Sequence, residues 1–231
     1  MPDVNIQYHF TLEGGAEEAF DLALDENTLE LRVSESADLP PWTELGFRQC
    51  PNCPLQPAAA LHCPAAARLV GLVRGFARVL SYERVGVEVR TTERTVTLDT
   101  SAQQAVSSLM GLIMAVSGCP HTAFFRPMAR FHLPGASTEE TIYRAVSMHM
   151  LAQYYVQLAG GTPDLEFAGL LRNYETVQMV NRAFVKRLHA AADYDSTINA
   201  LVVLDAWALT MPWAIDASLE GLRHLFEPYL T

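Results

Sequence analysis

Long apolar runs are missing from this chain. None approaches the roughly 20 residues that a helix needs to cross a bilayer, so no spanning helix is expected. The opening residues, MPDVNIQYHF, lack a basic start and a long apolar core, so no secretory leader is expected either. Together these absences point to the cytoplasm. Positive charge is scarce as well: 16 Lys and Arg stand against 26 Asp and Glu, a formal net charge of −10. That balance argues against a nucleic-acid-binding surface, although it leaves room for a local basic patch. Enzyme signatures are also wanting, with no phosphate loop, dinucleotide fingerprint or nucleophile–base motif. Cysteine is sparse, at four in 231 residues. Without a leader, a disulfide framework is disfavoured.

Material for a core is abundant. Half the residues are hydrophobic and 18% are charged, so the chain is not disordered. The reading is one α+β domain over 1–231. A β-rich part with a cysteine loop occupies 1–100, and a helical bundle occupies 101–231. Within residues 1–34 the period-two alternation of Val4–Leu12, Ala19–Leu24 and Leu29–Val33 predicts three antiparallel strands, the last two joined by a turn at Asp25–Thr28. Val85–Arg90 and Thr95–Leu98 predict a second hairpin. A helix is expected from Pro64, a residue suited to the first helical position, and Ser101–Gln104 reads as a capping box opening a strongly apolar helix.

Residues 121–136 read as a loop or short irregular element whose aromatic, arginine and histidine side chains either line a pocket or pack around a nearby centre. Ser137–Glu140 is a second capping box. Behind it Ile142, Val146, Met150, Tyr154 and Leu158 form one stripe. Gly160–Gly161 ends that helix, and Thr162–Pro163 opens the next. There the expected buried face is Leu170, Tyr174, Val177, Val180, Phe184 and Leu188. A further helix begins at Asp195, is apolar nearly all round to Met211, and is kinked or ended by Pro212. Asp205 falls on its apolar face and calls for a partner among Arg126, Arg144, Arg182, His149 and His189. That carboxylate is read either as a structural ion pair or as a pocket acid. The methionines at 110, 114, 128, 148, 150 and 179 read as core filler rather than thioether ligands.

All four cysteines lie in two segments, Cys50-Pro51-Asn52-Cys53-Pro54 … His62-Cys63-Pro64 and Ser117-Gly118-Cys119-Pro120, and each precedes a proline. Nine residues separate Cys53 from Cys63, and 55 separate Cys63 from Cys119. Three ligands are therefore local and one is distant, so a centre held by Cys50, Cys53, Cys63 and Cys119 would pin one segment to another and contribute to folding. Four thiolates suit zinc or an iron–sulfur cluster. A zinc knuckle usually has glycine after its second cysteine, where Pro54 offers neither an N–H nor a positive φ. Cysteine followed by proline is a feature of ferredoxin-type ligation. The reading therefore favours a [4Fe–4S] cluster, with zinc as the alternative and disulfides or unlinked thiols behind it. His62 and His121 stand beside ligands as replacement or hydrogen-bonding partners, and Arg126 and Arg130 as charges that offset a tetrathiolate.

The residues Trp42, Gln49–Leu55, His62–Pro64, Ser117–Pro120, Arg126–Pro134 and Tyr143–Ser147 resemble those of an uncharacterised family of bacterial proteins of about this length. The resemblance covers nearly everything after about residue 30 and implies a bacterial origin, but no activity. Three functions remain open on the residues themselves. The first is a cluster-binding sensor, redox- or gas-responsive, that works through a protein partner or a homodimer. The others are a structural zinc protein, and a cluster-dependent redox enzyme or electron carrier using the Arg126–His132 segment and Asp205.

Overall fold

The computed structural model describes residues 4–32, 39–191 and 195–230. Alternation makes the sheet. In β1 (Val4–Thr11), Ile6, Tyr8 and Phe10 are buried, and the residues between them face out. It pairs antiparallel with β2 (Glu17–Leu24) on one side and β3 (Arg84–Arg90) on the other. The strand β4 (Thr95–Ser101) closes an antiparallel sheet of order β2-β1-β3-β4. The expected third N-terminal strand is reduced to one bridge, Leu24 to Leu31. The turn forms as expected, with Asp25 Oδ1 accepting from the Asn27 and Thr28 amides. Leu29, however, takes φ +55°, which no strand accommodates, and the Leu31 amide donates to the carbonyl of Val116 instead. Val33 lies outside the described residues.

The apolar face of the sheet is covered by α1 (Pro64–Gly75) and α2 (Ala102–Val116). Phe10, Phe20 and Phe76 stack and edge-pack at the seam, with centroids 5.0 to 6.2 Å apart. The helix α2 is buried along most of its length, as its sequence predicts. Its capping box does not form: Ser101 makes no side-chain cap. The first two amides of the helix, Ala102 and Gln103, are met instead by the carbonyls of Glu83 and Ser81.

Residues 121–136, read as a loop or short irregular element, contain a 3-10 turn at Ala123–Phe125 and the short helix α3 (Arg126–Arg130). Next comes α4 (Thr138–Leu158), where both halves of the Ser137/Glu140 capping box are present. Ser137→Ala should therefore cost about 1 kcal/mol, read as a lower urea midpoint at unchanged slope. The stripe of α4 is buried only at its start. Ile142 and Val146 are inside, whereas Met150, Tyr154 and Leu158 are exposed, because the neighbouring helices cover only its first turns.

The following helix starts later than Thr162–Pro163. It is α5 (Ala168–Leu188), capped from a distance by Asp164, whose carboxylate accepts from the amides of Ala168 and Gly169. Its expected apolar face is buried at every position. The last long helix, α6 (Ser196–Leu222), packs on α2 and α5. It is not enclosed all round, since Val202, Leu209 and Trp213 are exposed. The chain bends by 63° between Ser196–Met211 and Trp213–Tyr229, so position 212 is a kink rather than an end. The architecture is α+β: one antiparallel sheet under a mostly helical layer. No single helix among the described residues is long and apolar enough to cross a membrane.

Candidate metal centre

The cysteine loop is assembled by short-range backbone bonds. Cys53 N–H donates to the Cys50 carbonyl at 3.0 Å, closing a turn that brings the first two thiols together. Cys63 N–H donates to Thr43 O at 2.8 Å, and Leu45 N–H to Leu61 O at 2.9 Å, which ties the end of the loop to residues 43–45. Cys63 is the N-cap residue of α1 with Pro64 at its first position, as the sequence predicts. Cys119 follows the end of α2, where Gly118 takes φ +89° to turn the chain. Its amide is held by Ser117 Oγ at 3.2 Å.

The four cysteines are free thiols. Cys63 is 7% exposed and the others are half-buried. Burial pushes the Cys50 thiol up to about 12, and charge on Cys63, Cys119 and Cys53 pushes it the same way. Burial likewise raises Cys63 and Cys119. These mutual effects place the three segments within electrostatic reach of one another. As the side chains stand, no three of the His, Cys, Asp and Glu side chains among the described residues are gathered tightly enough to hold a metal ion.

The groups that oppose those upward shifts are as telling as the shifts. Cys63 Sγ is approached by the amides of Ala66 and Ala65, in the first turn of α1. Cys119 Sγ is approached by the amides of His121 and Thr122 and by the Thr122 hydroxyl. The prolines remove the first amide after each cysteine, and at Cys63 and Cys119 the second and third amides stand in its place. Such N–H donation to sulfur favours anionic, ligating sulfur.

The charge that faces the thiols is Arg187, which sequence reasoning missed. It sits in the last turn of α5 and is 1% exposed. Its guanidinium donates to Trp42 O at 2.5 Å, to Glu44 O at 2.8 Å and to Leu45 O at 3.4 Å. It lowers the thiol pKa of both Cys50 and Cys63. The signal was its spacing: Arg187 falls three residues after Phe184, on the buried stripe of α5.

The arginines named from sequence are engaged elsewhere. Arg126 pairs with Glu30 at 2.6 Å, and Arg130 lies over the Phe131 ring at 5.4 Å. The His121 side chain meets the backbone of the loop. Its Nε2 donates to Asn52 O at 2.6 Å and fastens the Cys50–Cys53 turn to the Cys119 turn. His62 Nδ1 bonds Thr43 Oγ1 at 2.8 Å. The Thr43 proton goes to Pro40 O, so His62 Nδ1 is the donor. Asp205 is not at the cluster; Arg182 Nε stands 4.0 Å from it. Beside the Cys50–Cys53 turn a shallow concavity is lined by Arg48, Arg182 and Lys186, a local basic spot on an acidic chain.

These features define a class: an α+β chain whose helical layer holds a loop of converging Cys-Pro thiols against a buried arginine. A family model for a domain of unknown function, DUF6901, matches residues 6–227, and the chain belongs to that family. No curated protein and no solved structure matches it.

Proposed function

We propose that Cys50, Cys53, Cys63 and Cys119 bind an iron–sulfur cluster, and that the protein is a redox- or gas-responsive sensor or interaction protein. One observation carries this reading: four thiols from three segments lie in mutual electrostatic reach, with buried Arg187 facing them. The donor set fits a tetrathiolate centre. Arg187 and the amides at the start of α1 would offset the charge of the thiolates once their protons are displaced.

The sensing step follows from how lightly the loop is tied. Apart from Cys53 to Cys50, residues 50–62 are fastened mainly through Asn52, Leu55 and the 43–45 strip. Loss of the centre would free this stretch and alter the adjoining basic concavity, where an acidic protein partner would dock. A second copy of the chain is the other candidate, meeting the exposed apolar end of α4 at Leu151, Tyr154, Tyr155 and Leu158. Structural zinc is the second reading, favoured by the shielding of Cys63 between α1 and the 43–45 strip.

Anaerobic purification with metal, sulfide and absorption analysis tests both. The expected result is absorption near about 400 nm with about four irons and four sulfides per chain, lost in Cys63→Ser. Light scattering on the same sample should show a change of mass or of partner binding after exposure to air. One zinc per chain without colour would replace the cluster by a structural clamp. Four titratable thiols and no bound metal in the anaerobic sample would overturn both readings.

A further inference from the structure

A cavity of about 260 Å³ opens between α2, α3, α4, α5 and α6, away from the thiols. Its body is apolar, formed by Leu112, Met114, Val177, Leu204, Trp207 and Met211. Set into that wall are a few polar groups with unused hydrogen-bonding capacity. Asn181 is 2% exposed, and its Nδ2 is buried without a partner. Tyr174 is 4% exposed, and its hydroxyl has no hydrogen-bond partner among the described residues. Burial pushes that phenol up, so it stays a neutral donor.

Arg144 supplies the charge. One of its terminal nitrogens, Nη2, donates to the carbonyls of Met128 and Phe131, both at 2.9 Å. No carboxylate among the described residues stands at ion-pair distance from it. Glu140, one turn away on α4, is committed to the Ser137 cap. Among the described residues no Asp or Glu lines the cavity, and Arg144 is the one formally charged residue of its wall. His132, also in the wall, is held neutral, because burial and then Arg144 push it down to about 3.

An apolar body, one cation without a counter-ion and two unpaired donors describe the complement of a single ligand chemistry. We propose that this cavity binds a small amphiphilic monocarboxylate, with its carboxylate on Arg144, Tyr174 and Asn181 and its apolar body along α2 and α6. The volume limits the ligand to on the order of ten non-hydrogen atoms. The site does not need the thiol cluster, although Thr122 borders both.

Titration calorimetry on the full chain with octanoate, and with 1-octanol as the uncharged match, tests this. The expected result is one octanoate per chain, bound about tenfold or more tightly than 1-octanol. Arg144→Gln should erase that preference. Because Arg144 also holds two carbonyls, a second variant guards against misfolding. Ala208→Phe fills the cavity from α6, where Ala208 is buried at 2% exposure, and should abolish binding of both probes with the circular dichroism spectrum unchanged. Equal affinity for octanoate and 1-octanol, binding that survives Ala208→Phe, or no binding of octanoate at millimolar concentration would each overturn the proposal.

Discussion

Arg187→Met is expected to cost the fold about 3–5 kcal/mol, as befits removal of one partner from a buried charged network. The methionine can fill most of the space, but it leaves the half-buried carbonyl of Trp42 without its donor and leaves Glu44 O only the Phe47 amide at 3.1 Å. Those carbonyls now accept at 2.5 and 2.8 Å from a side chain that is 1% exposed. Arg187→Lys should recover only part of the loss, because an ammonium cannot reproduce the fork that spans three carbonyls. The effect should also reach the thiols. Strip 43–45 positions Cys63 through Thr43 O, and Arg187 favours the anionic form of Cys50 and Cys63. On the proposed reading of these thiols as a cluster site, metal content per folded chain should fall in both variants. Urea denaturation of wild type and variants supplies the measurement. A loss under about 1 kcal/mol in Arg187→Met would sink the view that this residue clamps the loop.

Acidification is expected to destabilise the protein well above the range where exposed carboxylates titrate. His132 is the cause. Its Nε2 is hydrogen-bonded to the Tyr8 hydroxyl, which also bonds Ser108 Oγ at 3.0 Å. Burial, with the Arg144 charge adding to it, depresses the imidazole from 6.5 to about 3. The unfolded chain therefore takes up this proton first as pH falls below 6.5, and the folded chain only near 3. Across that window the unfolded state binds more protons, so stability falls with falling pH, by about 1.4 kcal/mol per unit once well inside it.

Between pH 7 and 4.5 the expected loss is on the order of 2 kcal/mol. The groups facing this ring are Tyr8, Ser108 and Arg144, and none offers a negative charge to rescue the imidazolium. Asp25, Glu140 and Asp164 are held below their ordinary values by backbone amides, so their stabilisation is lost only at lower pH. His132→Gln keeps an acceptor for Tyr8 but cannot titrate. Its stability should be flatter than wild type from pH 7 to 4.5 in urea melts, and equal slopes would rule out His132 as the origin.

Much of the fold was legible in local patterns. Alternation in β1, β3 and β4, the proline after Cys63, the Ser137 capping box and the apolar face of α5 all express choices made within a few residues. They survive because no distant group competes for the same donors. The misread elements are those where a distant group does compete. Ser101 makes no side-chain cap, and the first two α2 amides are satisfied from afar by the carbonyls of Glu83 and Ser81. The third strand stops where Leu31 turns its amide to Val116. The stripe of α4 is apolar to its end, yet periodicity does not say which part a neighbour will cover.

The same division runs through the sites. The sequence alone determined that the thiols lie in Cys-Pro dipeptides and that Cys63 starts one helix and Cys119 follows another, because residue type and chain direction decide such things locally. Which charge faces the thiols was decided by tertiary structure. Arg126 and Arg130 are nearer to Cys119 in sequence, but Arg187 arrives from α5, where its guanidinium bonds the carbonyls of Trp42, Glu44 and Leu45. The cavity beneath Arg144 was likewise invisible along the chain, because its wall is contributed a few residues at a time by five helices, and enclosure belongs to their packing rather than to any one of them.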